Sequence, residues 1–340
     1  MAAARAEAPR IGCLAVTDGG RRLAAGIARG LPNGVLVPER TGLADLLPGL
    51  WQEYDGLVMV MAAGIVVRLI APLVENKKTD PAVVVVDEAG RFAISLLSGH
   101  LGGANELARR VAAITGGEPV ITTASDTLGH TALDLWARDQ GLLAAEGEQL
   151  TRASARLVNH GRLRVYSEVA VASLPPDFEL VGAPADADCI VSHRLGPWPE
   201  GVCILRPRDL VVGIGCNRGT SQEQIEAAVA EAFAAHGFSE QAIRNLASID
   251  LKQDEPGLLA FAQARELRID FYDKDALNGV AGVSTSLAVL RATGARGVAE
   301  PAALLSAGTD NLLVRKMKWK DVTIAVAQAP STLSAPAQEA

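Results

Sequence analysis

Cysteine is scarce: only Cys13, Cys189, Cys203 and Cys216 occur in 340 residues, far apart and without a CxxC pair. That excludes a disulfide framework and a zinc knuckle, and it fits a reducing, cytoplasmic setting. Basic residues are not in excess either: 32 Lys and Arg against 39 Asp and Glu leave a net charge of −7. No global field therefore draws the chain to nucleic acid or to an anionic membrane, and an acidic ligand would need a locally positive site. Long apolar runs are also missing. Gly56 to Val67, twelve residues with two glycines, is too short to span a bilayer. Arg5 and Arg10 stand near the start without an apolar stretch, so no secretory leader is expected. His130, His160, His193 and His236 show neither HxxxH nor HExxH spacing, so no metal site built by the protein is expected. A GxSxG elbow and a GxxxxGK[ST] loop are lacking too.

What is present is an apolar chain, 49% hydrophobic and 21% charged, with a mean hydropathy of +0.20, long enough for two or three packed domains. Short apolar strands alternate with helical stretches from Ile11–Asp18 onward, predicting an α/β fold with a mostly parallel, helix-covered sheet. Ala82–Asp87 and Phe92–Leu97, joined by Glu88 to Arg91, predict a hairpin, Asn105–Thr115 a helix, and Pro119–Thr123 a further strand. The pattern places an amino-terminal domain over 1–148 and a proline-punctuated middle module over 149–207. A second Rossmann-like domain follows over 208–329, ending in a hairpin, with a disordered tail over 330–340.

The densest segment is Ser98-Gly-His-Leu-Gly-Gly-Ala-Asn105, between a strand and a helix. Its glycines, Gly99, Gly102 and Gly103, allow close approach of a ligand to main-chain N–H groups at the positive end of a helix, which suits an anion. His100 projects from this loop as an acid, a base or a ligand; an ordinary tight turn reads equally well. Gly64 sits in a similar strand-to-helix corner, and Lys77, Lys78 and Asp80 form a charged loop beside the sheet. Thr122, Thr123 and Asp126 close a strand on the edge where α/β proteins bind ligands, or else cap a helix. In the second half Gly213, Gly215 and Gly219 imitate a dinucleotide fingerprint, but the spacing is GxGxxxG and the ribose-binding acid is missing. Nicotinamide-dependent redox chemistry is thus disfavoured against a generic anion turn. Cys216 reads as a buried thiol, and Asp250 to Glu255 as a substrate clamp or a surface charge cluster.

The run from Gly56 to Asp126, with SGHLGGANELA and VITTASD inside it, resembles the amino-terminal region of the cobalt-precorrin-5A hydrolase family, CbiG. VVGIGCNRGTS, LASIDLKQDEPGL, GVAEPAALL and LLVRKMKWKDVTIAVA resemble that family's carboxy-terminal domain, in the same order and spacing. The resemblance implies a step of anaerobic cobalamin biosynthesis. A cobalt-bearing, polycarboxylated macrocycle has its ring-A acetate δ-lactone opened, and C-20 leaves with its methyl as acetaldehyde, giving cobalt-precorrin-5B. Cobalt would arrive with this corrinoid substrate, so the protein builds no cofactor site of its own. No nucleic acid or membrane partner is implied, while a homodimer and contacts with other pathway enzymes are compatible with the family. A non-catalytic corrinoid carrier is the alternative, because stand-alone relatives of the carboxy-terminal domain exist. On the hydrolase reading, the chemistry of the glycine-rich motif has His100 activate water or ligate cobalt axially and the N–H groups of Gly102 and Gly103 stabilise the oxyanion, with Asp126 a further catalytic candidate. Substrate contacts are expected from Gly64, Lys78, Asp80, Gly99, Asn105, Glu106, Thr122, Thr123, Gly213, Gly215, Arg218, Lys252, Glu255, Glu300 and Lys316.

Overall fold

A computed structural model describes residues 9–38, 42–76 and 79–335. Lys77 and Lys78 lie outside the described residues. The chain divides into two units, Met1–Leu135 and Trp136–Ala340.

The first unit is built on one sheet. Its elements are β1 (Ile11–Ala15), α1 (Asp18–Gly30), β2 (Gly34–Leu36), α2 (Leu43–Glu53), β3 (Gly56–Val60), α3 (Ala63–Ile70), β4 (Ala82–Val86), β5 (Phe92–Leu97), α4 (Ala104–Thr115), β6 (Glu118–Val120) and α5 (Ala124–Leu128). The strand order is β2-β1-β3-β4-β5-β6. β4 and β5 form the expected antiparallel hairpin, and the other neighbours are parallel. Helices cover both faces, so β3 (GLVMV) and β4 (AVVVV) are apolar at every position instead of alternating. Val58, Val60, Val84 and Val86 pack with Ala24, Ile27, Leu107 and Val111 of α1 and α4. Leu57, Met59, Val83 and Val85 pack on the other side with Leu47, Trp51, Val66 and Ile70 of α2 and α3. Thr17 starts α1 by accepting the Gly20 N–H on its hydroxyl at 3.0 Å.

α6 (Leu133–Asp139) leads into the second unit, which holds two further sheets. The middle sheet consists of β7 (Leu142–Ala144), β8 (Leu163–Ser167), β10 (Phe178–Leu180), β11 (Cys189–Val191) and β12 (Cys203–Pro207), in the order β10-β8-β11-β12-β7, with α7 (Gly147–His160) beside it. It begins before residue 149, because Leu142–Ala144 supplies an antiparallel edge to β12. The tail is also partly ordered: β18 (Thr332–Leu333) pairs with β9 (Ala170–Val171), and Trp136 Nε1 donates to the Ser334 carbonyl. Disorder over 330–340 is therefore corrected for its described part, since strand pairing satisfies that backbone.

The third sheet, order β15-β14-β13-β17-β16, combines β13 (Leu210–Cys216), β14 (Ile243–Ile249), β15 (Ile269–Tyr272), β16 (Leu312–Lys318) and β17 (Val322–Gln328). α8 (Gln222–His236) and α9 (Pro256–Ala264) cover one face with Ile225, Phe233 and Phe261 over Val212, Ile214 and Ile324. After α10 (Lys274–Asn278) and α11 (Leu287–Thr293), α12 (Ala299–Ala307) covers the other, with Ala302 and Ala303 against Val211 and Ala247. Two strand pairs are parallel and two antiparallel, so this sheet is mixed.

Candidate active site

The loop after β5 folds around its own polar groups. Ser98 adopts a left-handed φ of +58° and Gly103 one of +87°. A Cβ on Gly102 would lie 2.3 Å from that of Ser98, so only glycine fits there. The turn then engages one of the two amides expected to stabilise an oxyanion, that of Gly103, and the two amides that follow it. Gly103 donates to the His100 carbonyl at 2.9 Å, Ala104 to that of Ser98 at 3.1 Å, and Asn105 to that of Gly99 at 3.0 Å. Gly103 as an oxyanion donor is therefore corrected: its N–H closes the turn instead.

Asn105 is corrected as well. It is 4% exposed, and its amide is a strut. Oδ1 accepts the Ser95 hydroxyl at 2.7 Å, while Nδ2 donates to Thr123 Oγ1 at 2.9 Å and to Asp126 Oδ2 at 3.0 Å. Thr123 in turn donates to Asp126 Oδ2 at 2.7 Å, and Arg109 Nη2 reaches Asp126 Oδ1 at 2.6 Å. β6 ends at Val120, so Thr123 precedes α5 rather than closing a strand. Thr122 is exposed.

His100 sits between two carboxylates, with Nε2 3.0 Å from Asp126 Oδ2 and Nδ1 3.4 Å from Asp134 Oδ1 in the first turn of α6. Ser125 Oγ lies 3.1 Å from Nε2. Each of the three charged side chains keeps about a fifth of its surface in solvent: 21% for His100, 19% for Asp126 and 23% for Asp134. The bond to Asp134 raises the His100 pKa above its ordinary value; burial opposes this and Asp126 adds to it. Asp134 contributes the larger part. Burial works against the charge on Asp126, but the bonds from Thr123, Arg109 and His100 outweigh it and lower its pKa. Burial likewise opposes the charge on Asp134, and His100 reverses the effect. The cluster thus favours an imidazolium with both N–H groups facing carboxylates. A histidine in that state has no free lone pair, which speaks against the general-base and cobalt-ligand roles of the resting side chain. Ser125, Arg109 and Asp134 were missed in the sequence. Arg109 had a usable signal, four residues after Asn105 on one helix face, whereas Asp134 had none.

Three other candidates make local contacts of their own. Asp80, 6% exposed, accepts the N–H groups of Glu75 and Asn76 and holds its own loop. Glu106 is exposed and pairs with Arg110 at 2.8 Å, one turn along α4. Gly64 lies exposed at the start of α3, its carbonyl taking Arg68 Nη1.

In the carboxy-terminal sheet Gly213 is buried under α12: a Cβ there would meet the Ala299 carbonyl at 1.9 Å. A Cβ on Gly215 would meet Thr323 Oγ1 at 2.6 Å. Neither glycine opens a cradle, so both are corrected to packing positions. Arg218, Lys252 and Glu255 do come together. Glu255 is fully buried, accepting Lys252 Nζ at 2.9 Å and the Gly219 N–H at 2.7 Å, with Arg218 Nη1 3.8 Å away. Burial pushes the nearby Cys216 thiol up, more than Lys252 and Arg218 pull it down, so it is a poor nucleophile. Glu300, 3% exposed, is a loop clasp for the N–H groups of Ser284 and Lys316, which corrects it as a substrate contact. Lys316 is half-buried, and the bond that fixes it uses its backbone. Among the described residues no group of three or more His, Cys, Asp and Glu is arranged to hold a metal ion. No helix among them is long and apolar enough to cross a membrane.

Fold and cluster together define an α/β protein whose amino-terminal sheet carries a histidine clasped by carboxylates at a glycine-rich turn. Residues 45–126 match the family described as cobalamin synthesis G N-terminal, and residues 210–327 the one described as cobalamin synthesis G C-terminus. A cobalt-precorrin-5A hydrolase from Priestia megaterium is 40% identical over 304 residues, covering 84% of this chain and 81% of the relative. The cobalt-precorrin-5A hydrolase of Salmonella typhimurium is 33% identical over 345 residues, covering 94% of this chain and 97% of the relative. The protein CobE of a Sinorhizobium species is 39% identical over 129 residues, 37% of this chain and 83% of its own. The chain belongs to the cobalt-precorrin-5A hydrolase family.

Proposed function

We propose that this protein hydrolyses cobalt-precorrin-5A in the cytoplasm, opening the ring-A acetate δ-lactone and releasing C-20 with its methyl group as acetaldehyde. Similarity to proteins named for that hydrolysis, along nearly the whole chain, supports the reaction. The observation that carries the assignment of the site is His100 held between Asp126 and Asp134. Water adds to the lactone carbonyl, and the C-20 oxygen leaves with the electron pair of the carbonyl–oxygen bond while the protons of the water pass from the new carboxyl group to solvent. The His100 imidazolium supplies the proton to that oxygen, a role that its two carboxylate partners and raised pKa favour. The neutral ring then takes the proton back from the C-20 hydroxyl as the carbon–oxygen double bond forms. The electron pair of the broken C–C bond stays on the macrocycle, and acetaldehyde departs. Arg109, which is 47% exposed, holds a substrate carboxylate beside the histidine. Cobalt enters as part of the substrate.

The test is an anaerobic incubation of the purified protein with cobalt-precorrin-5A, following acetaldehyde and the mass of the macrocycle. The expected result is stoichiometric acetaldehyde with loss of the two-carbon unit. Tight binding of an unchanged macrocycle would replace the hydrolase with a carrier.

A further inference from the structure

The middle sheet, which neither family match covers, carries a second charged site. One face of α7 presents Gln149, Arg152, Arg156 and His160 to a groove of about 520 Å³, closed by Arg164, Asp188 and the 199–203 segment. A volume of that order accommodates a small organic ligand. At its floor lies Asp188, whose side chain is 6% exposed. Its two oxygens accept the Arg164 N–H at 3.0 Å, Arg164 Nε at 3.1 Å and Arg164 Nη2 at 2.9 Å, and Arg156 Nε stands 2.8 Å from Oδ1 as an ion pair. One buried carboxylate therefore holds the Arg164 guanidinium by two hydrogen bonds and pairs with that of Arg156. Burial opposes the charge on Asp188, and the Arg164 and Arg156 contacts outweigh it, so the anion stays in place. These contacts use Nε and Nη2 of Arg164 and Nε of Arg156, and the half-exposed Arg156 side chain lines the groove with its terminal nitrogens outside them. Arg152 and Arg162 stand beside them, tied only to the exposed Glu148 and Glu179, pairs that a bound anion displaces at little cost. Glu200 is the one other acid in the lining. The Gln149 Oε1 atom is buried without a hydrogen-bond partner in the same wall, where a donor group on the ligand would satisfy it.

We propose that this groove is a binding site for a small organic anion carrying two or more carboxylate or phosphate groups. The Arg164 guanidinium is fixed before the ligand arrives, so little of its side-chain entropy is lost on binding. The proposal is independent of the reaction above, because the groove uses none of the residues assigned to it.

Isothermal titration of the full-length protein with citrate, and separately with inorganic pyrophosphate, provides the test. One-site saturable binding to either is expected, and the stronger probe distinguishes a carboxylate site from a phosphate site. Arg156→Gln should weaken it about tenfold or more, the loss expected for a charge-assisted hydrogen bond. Arg152→Gln should weaken it less, and Arg138→Gln, on α6 outside the groove, should leave it unchanged. Melting curves of each variant show that the fold is retained. Failure of both probes to saturate, or equal weakening by Arg138→Gln, would overturn the proposal.

Discussion

Replacing Asn105 by leucine separates a ligand-contact role from a structural one. The two side chains are similar in size, so the change removes hydrogen bonds with little cavity. Three bonds are lost, to Ser95, Thr123 and the charged Asp126. Two neutral bonds at about 1 kcal/mol each and one to a charged group at about 1.5–3 kcal/mol set the gross cost. Asp126 is 19% exposed, and water reaching it recovers part, leaving a net loss of about 3 kcal/mol. For a unit of this size each kcal/mol moves the midpoint by roughly 3–4 °C, so a fall of roughly 10 °C is expected. The assay is calorimetry of the ligand-free, full-length protein, following the transition of the amino-terminal unit. A fall below about 2 °C would refute the reasoning, because it would mean that water replaces all three bonds. Asn105 would then be free to serve the ligand, as the sequence alone suggests.

The pH dependence of stability tests His100. Its folded pKa is raised above 6.5, so its contribution is complete below 6.5 and is lost as the pH rises through the folded value. Asp126 and Asp134 are lowered from 3.8, so theirs is complete above 3.8 and lost as the pH falls through their folded values. The cluster is therefore strongest between those two limits, and His100→Gln should flatten the loss of melting temperature above 6.5; parallel slopes in both proteins would reject the ion-paired histidine. The same substitution should cut acetaldehyde release by about a hundredfold or more if the histidine supplies the proton, whereas near-normal turnover would remove it from the chemistry. Glu255→Gln leaves the Lys252 ammonium, 12% exposed, without its partner, so urea titration should show the carboxy-terminal unit weakened by about 3 kcal/mol. A change under about 0.5 kcal/mol, the range of ordinary surface substitutions, would show the pair to be solvated. Gly213→Ala should cost about 1–3 kcal/mol through overpacking against Ala299; an unaffected melting temperature would mean that α12 yields freely.

The sequence conveys the architecture where apolar patterning is strongest. β3, β4 and the β4–β5 hairpin are legible because a strand buried on both faces must be apolar throughout. β14 is less so: it begins at Ile243, but Arg244 and Asn245 interrupt its apolar run. Asn245 is fully buried and spends its amide on Asp270 and Ser306. The short edges β7 and β18 are invisible for a different reason: they gain their stability from partners far along the chain, β12 and β9. The site follows the same division. His100 is found because glycines surround it, while Asp134 joins it through tertiary packing alone.

Glycine-rich turns are a weak guide to anion binding unless the fate of each N–H is known. At the SGHLGGAN turn the amides of Gly103, Ala104 and Asn105 are spent on the carbonyls of His100, Ser98 and Gly99, and an amide so engaged offers an anion nothing without breaking the turn. The positive charge available there is the imidazolium, which Asp126 and Asp134 stabilise, together with the exposed Arg109. A protein of net charge −7 can hold a polycarboxylate on such terms, because within a few ångströms the nearest fixed charges outweigh the distant average. The carboxylates that make the histidine cationic also cancel part of its field. On the reaction proposed above, a substrate carboxylate docked against Arg109 would draw the guanidinium from Asp126 and so strengthen the hold of Asp126 on the histidine proton.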